Sequence, residues 1–145
     1  MKKRFLSLVL ILITSTAFSQ IAKDFMIGAN LDLIRSDQDG YFEKAQASAE
    51  LNYFLTRKFT ATGGVEYWTE HQQVSLVMGG RWFPVKEAFL RLRGLVGAND
   101  IAIGGGWSKP LKPGRNWYFE SMADVYTVHG YVAIRAGVVY VIKRE

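Results

Sequence analysis

The sequence predicts an all-β chain folded as an eight-stranded antiparallel up-and-down β-barrel. Three observations point there. Apolar and polar residues alternate with period two in eight successive segments from Phe25 onward. The segments are separated by short clusters rich in Asp, Asn, Gly, Pro and Lys, which punctuate strands. No apolar run after residue 20 is long enough to cross a bilayer as a helix.

In the first segment Phe25, Ile27, Ala29, Leu31 and Leu33 share one face, opposite Met26, Gly28, Asn30 and Asp32, and the turn Ser36 to Gly40 follows. The second opposes Ala45, Ala47, Ala49, Leu51 and Tyr53 to Lys44, Gln46, Ser48, Glu50 and Asn52. Glu43 to Leu51 is also rich in helix formers, so strict alternation alone argues for a strand there, and a helix between Tyr41 and Phe54 would make the strand count odd. The third segment runs from Phe59 to Trp68, and the fourth from Val74 to Phe83, ended by Pro84. The fifth sets Leu90, Leu92 and Val96 against Arg91 and Arg93, and Asn99-Asp100 reads as the next turn. The sixth, Ile101 to Trp107, contains Gly104-Gly105-Gly106, read as a kink or tight packing because no helix follows to make it a phosphate loop. Pro110 and Pro113 mark a connection, the seventh segment opposes Trp117, Phe119, Ala123 and Val125 to Glu120, Asp124 and Tyr126, and the eighth runs from Val132 to Ile142. An even number of antiparallel strands can close on itself, which removes unpaired edges.

The N-terminus has its own pattern. Lys2, Lys3 and Arg4 precede an apolar run from Phe5 to Ile13, and Ala17 and Ser19 provide the small residues that a signal peptidase needs before Gln20. Residues 1–19 are therefore expected to be a signal peptide and residues 20–145 a single barrel domain. Cleavage would remove three of the 18 basic residues and leave fifteen against 13 acidic ones, a net charge of +2 that gives no reason to expect nucleic acid. The chain has no Cys, so neither a lipoprotein anchor nor disulfides hold it, and closure of a hydrogen-bonded sheet is the alternative.

Alternation alone leaves open which face points inward. Two features favour lipid outside, making this a transmembrane β-barrel. Rings gather at both ends of the hairpin ladder: Phe54, Phe59, Trp82, Phe83, Phe89, Trp107, Trp117 and Phe119 at one, and Tyr41, Phe42, Tyr67, Trp68, Tyr126 and Tyr131 at the other. Such girdles suit membrane–water interfaces. The polar face carries five acids, Asp32, Glu50, Glu66, Glu120 and Asp124, and five bases, Lys44, Arg81, Arg91, Arg93 and Arg135. The interior of an eight-stranded barrel is only wide enough for side chains, so these ten are expected to form a paired lumen network. Arg suits that role because its planar fork binds carboxylates bidentately.

The last strand reads Arg135-Ala136-Gly137-Val138-Val139-Tyr140-Val141-Ile142, in which Arg135, Gly137, Tyr140 and Ile142 give the polar, Gly, aromatic and apolar pattern of a C-terminal β-signal. With the signal peptide and the eight short strands, the chain resembles the small outer-membrane β-barrel family typified by OmpX and the OmpA membrane domain. That resemblance implies a Gram-negative outer-membrane location, contact with outer-membrane lipid, and recognition by the barrel assembly machinery during biogenesis. It names no surface ligand. The chain departs from the family in ending Lys143-Arg144-Glu145 and in its short outer loops. With the N-terminus on the periplasmic side, the outer loops hold Asp37, Asp39, Glu70, His71, Asp100 and His129, and the inner turns hold Arg57, Lys58, Lys86, Lys109, Lys112 and Arg115.

Catalytic, metal and cofactor sites are not expected. Some barrels of this kind modify lipid A with a His, a Ser and an acid. Here only His71, near Glu70 and Ser75, and His129, near Asp124, offer the ingredients, and the His-x-Ser spacing is absent. Two His with scattered carboxylates show no metal-ligand spacing. The expected function is thus a non-enzymatic outer-membrane barrel contributing to envelope structure or surface interaction. The alternatives are a lipid A-modifying enzyme and a soluble periplasmic lipocalin-like barrel with the apolar face inward.

Overall fold

The computed structural model describes residues 23–37 and 45–144. The expected signal peptide, its cleavage point, Lys44, Asp39, Tyr41 and Phe42 lie outside the described residues. Eight strands follow one another: β1 (Phe25–Arg35), β2 (Gln46–Phe54), β3 (Phe59–Trp68), β4 (Gln73–Trp82), β5 (Ala88–Val96), β6 (Asp100–Pro110), β7 (Trp117–Tyr126) and β8 (Tyr131–Ile142). Each pairs antiparallel with its neighbours in sequence, and β1 pairs with β8, so the sheet closes as an up-and-down barrel. Gln46–Phe54 is a strand despite its helix formers, because nine residues pair in continuous register with β3 while the apolar side chains stay on one face.

That apolar face is the outer one. Ile27, Leu31, Leu51, Val65, Leu76, Met78, Leu90, Leu92, Ile103, Val125, Ile134 and Val138 are exposed, whereas the residues between them in sequence point into the barrel. A soluble barrel with an apolar interior requires the opposite parity and is not what the chain forms.

Two expectations need correction. Asp100 does not belong to a turn with Asn99; it opens β6, is buried, and its carboxylate accepts hydrogen bonds from the backbone N–H groups of Ile101, Val128 and His129 at 2.7, 2.9 and 3.2 Å. Asn99 takes the left-handed backbone of the preceding turn, φ 52°, which Asn tolerates well. The second correction concerns the rings. Phe59, Trp82, Trp107, Trp117 and Phe119 at one end and Tyr67 at the other face outward, but Phe54, Phe83, Phe89, Trp68, Tyr126 and Tyr131 are buried inside the barrel.

Beyond Asp32 the alternation breaks at a β-bulge, which the sequence reading does not foresee. Asp32 pairs with Arg135 and Ile34 with Ile134, so Leu33 is the extra residue on β1. Leu33 and Ile34 both face outward as a result, and Arg35 turns into the lumen, where it is 3 % exposed.

The inward rings close the barrel at both ends. At the end of the β2–β3, β4–β5 and β6–β7 turns, Met26, Phe54, Phe83, Phe89, Met122, Val139 and Val141 form an apolar layer, with Tyr118 packed against it. At the other end Trp68, Val77, Leu95, Ala98, Ala102, Tyr126, Tyr131 and Ala133 form a second. Between them lie the charges.

Candidate functional site

The middle of the lumen is built by inward positions on six strands, β1, β2, β3, β5, β7 and β8, and on β4 toward its end. Asp32, Glu50, Glu66, Arg81, Arg91, Arg93, Glu120, Asp124 and Arg135 are all buried there, none more than 3 % exposed. At such depth a lone charge is prohibitively costly, and each side chain is compensated by neighbours across the barrel.

Arg93 is the hub. Its Nη1 donates to Glu66 Oε2 at 2.7 Å and Glu50 Oε1 at 3.1 Å, and its Nη2 donates to Asp124 Oδ2 and the Tyr126 hydroxyl, both at 2.9 Å. Arg81 binds Glu120 through Nη1 at 3.1 and 2.9 Å and reaches Glu50 through Nη2 at 2.8 Å. Arg91 grips Asp124 bidentately through Nε and Nη2 and lies 3.7 Å from Glu50. Arg135 joins Glu66 at 2.8 Å, Asp32 at 2.6 Å and the Ser48 hydroxyl at 3.2 Å. The planar forks let four Arg side chains serve five carboxylates.

Both apolar layers are tied to this network. Arg81 lies over the Phe89 ring, 4.8 Å from its centroid, at one end. At the other, Trp68 Nε1 donates to Glu66 Oε1 at 2.8 Å, and the Tyr126 hydroxyl donates to the same oxygen at 3.2 Å. Gln46, with its amide nitrogen toward Asp32 and Tyr126 and its oxygen toward Tyr131 and Arg35, satisfies all four neighbours. Arg35 covers the Tyr131 ring at 3.9 Å and pairs with Asp37 at 2.7 Å.

Arg35 is the lumen residue that sequence reasoning missed. Simple alternation puts it with Leu31 and Leu33, and only the bulge, which has no Gly or Pro to announce it, reverses the phase. Gly137 gains a packing reason from the same interior: a Cβ there would collide with the Asn30 side chain and the Ala29 carbonyl. On the closing strand β8, Arg135 and Gly137 face inward while Tyr140 and Ile142 face the outer surface.

At the end of the barrel that carries the β3–β4, β5–β6 and β7–β8 turns, the histidine expectation needs revision. His129 pairs with Asp100, Nδ1 to Oδ2 at 2.5 Å, rather than with Asp124, which is committed to Arg91 and Arg93 in the lumen. The Ser75 hydroxyl, expected near His71, accepts the Ala98 N–H at 2.9 Å. Among the described residues no hydroxyl is hydrogen-bonded to either His, and no group of three or more His, Asp or Glu is arranged to hold a metal ion.

No protein-family model matches the chain, and no curated protein matches it. A solved structure described as "De novo design of transmembrane beta-barrels" superimposes with a TM-score of 0.64 at 12% sequence identity, over 85% of this chain and 98% of that one. At that identity the likeness is one of fold. The chain is an all-β, closed, eight-stranded antiparallel up-and-down barrel, similar in fold to a transmembrane β-barrel.

Proposed function

We propose that the chain is a non-enzymatic outer-membrane β-barrel protein of a Gram-negative bacterium, exported by residues 1–19 and contributing to envelope structure or surface interaction. The observation that carries this reading is the inversion of an ordinary soluble protein: a continuous apolar outer wall around a buried layer of paired charges. In water that wall would be an exposed apolar patch far beyond what soluble monomers carry. In a bilayer it faces hydrocarbon, and the closed sheet leaves no backbone edge unpaired.

The lumen supports a structural role over transport. Its Arg and carboxylate side chains are locked in a network of buried ion pairs between two ring-filled layers, so a solute would have to break several of them to pass. Arg135, Gly137, Tyr140 and Ile142, on the strand that closes the barrel, are the residues proposed to be read by the assembly machinery.

The test is fractionation of cells expressing the protein, followed by electrophoresis of the membrane fraction with and without boiling. The expected result is recovery in the outer membrane as a band whose mobility changes on boiling, with the mass of lipid A unchanged. Recovery in the soluble periplasm would overturn the membrane reading, and a lipid A mass shift of one acyl chain, abolished by His129→Ala, would overturn the non-enzymatic one.

A further inference from the structure

We propose that the β6–β7 hairpin end, from Trp107 to Phe119, is a docking site for an anionic phospholipid in the leaflet facing the N-terminal end of the barrel. The inference rests on the membrane placement proposed above. Between Trp107 and Phe119 the sequence carries Lys109, Lys112 and Arg115 and no acidic residue. All three cations are exposed, and among the described residues none forms an ion pair. The next carboxylate along the chain, Glu120, is buried and held by Arg81. Three unneutralised cations on one short connection leave a local positive charge that an anion would complement.

The connection is shaped as well as charged. Leu111 N–H donates to the Trp117 carbonyl at 3.0 Å and Arg115 N–H to the Lys112 carbonyl at 3.3 Å. Pro110 and Pro113 fix their own φ, and Gly114 takes φ 73°, where a side chain would be strained. Held this way, Leu111, Lys112, Arg115 and Trp117 line an open recess of about 390 Å³. Its walls combine two cations with an aliphatic and an aromatic side chain, the pairing needed to hold a phosphodiester beside the first methylenes of an acyl chain.

The recess opens onto the lipid-facing wall. Lys109 faces outward opposite Phe119, Trp117 packs on Tyr140 with ring centroids 4.9 Å apart, and Trp107 and Phe119 are exposed beside them. These rings sit where an interface selects aromatics, so the cations lie at headgroup depth. A soluble anion would use the cations and leave the rings idle. A phospholipid uses both.

The experiment places the folded full chain in phosphatidylcholine bilayers containing a minority of phosphatidylglycerol and measures which lipid is retained at the protein surface, by spin-labelled lipid or native mass spectrometry. At low salt phosphatidylglycerol is expected to be preferred about tenfold, with the preference shrinking as salt rises. Lys109→Gln/Lys112→Gln/Arg115→Gln should bring it close to parity, and Lys86→Gln/Lys143→Gln, elsewhere on the same rim, should keep most of it. Equal retention of the two lipids by the unaltered chain overturns the site, as does a preference that survives the triple substitution. Insertion into pure phosphatidylcholine, read from the boiling-dependent band, tests the membrane placement separately: failure there overturns that reading, whatever the lipid preference.

Discussion

Replacing Arg93 by Leu is expected to lower the unfolding free energy of the barrel by about 3–5 kcal/mol, the usual consequence of removing one partner from a buried ionic cluster. Arg93 is bonded to Glu50, Glu66, Asp124 and Tyr126 at once. After its loss each carboxylate keeps another Arg: Glu50 has Arg81, Glu66 has Arg135 and Asp124 has Arg91. The damage therefore comes less from any orphaned group than from the balance of the layer, where five carboxylates would face three Arg in a medium that water does not reach. Lys at this position restores the charge but not the fork, so Arg93→Lys should recover only part of the loss. Urea unfolding in lipid vesicles, followed by Trp fluorescence, measures it. An unchanged midpoint for Arg93→Leu would mean that the cluster does not hold the barrel together.

The residue next to it makes the opposite demand. Leu92 lies in the middle of β5, faces outward and is 53 % exposed. An Arg there would sit near the centre of the hydrocarbon, and Leu92→Arg is expected to cost about 2–4 kcal/mol in a bilayer. On a soluble barrel the same change would be an ordinary surface substitution worth within about 0.5 kcal/mol. The two neighbours thus carry reversed requirements, Arg inside and Leu outside, and the pair of variants reads the orientation of the sheet. A Leu92→Arg protein as stable in vesicles as the parent would contradict an outer wall in contact with lipid.

Much of this arrangement is legible in the chain because a strand has an invariant period of two. Once β3 and β7 are anchored by Phe59–Trp68 and Trp117–Tyr126, parity alone places Glu66, Glu120 and Asp124 on the inner side. The same parity places Phe54 with Asn52, Phe83 with Arg81, Phe89 with Arg91 and Trp68 with Glu66, all inward. Reading these rings as parts of interfacial girdles sets the parity aside in favour of residue type, and the parity is the better guide: a ring near a strand end can cap the lumen as readily as it can face a headgroup. What the period cannot reveal is where it breaks. The bulge at Leu33 costs one pairing and brings Arg35 over Tyr131, and no residue type in Asp32-Leu33-Ile34 marks it. Long-range partners are invisible for a related reason. That His129 meets Asp100, 29 positions away, depends on how the start of β6 sits beside the β7–β8 turn, which neither segment's sequence records.

The sharpest discrimination comes from the four Trp residues. Trp82, Trp107 and Trp117 face outward, and Trp68 is buried in the lumen with its Nε1 on Glu66. Single-Trp variants inserted into vesicles with brominated acyl chains should show strong quenching for the three outward rings and weak quenching for Trp68. Equal quenching of all four, or none for Trp82, Trp107 and Trp117, would contradict a barrel that turns its apolar wall to lipid and keeps its charges inside.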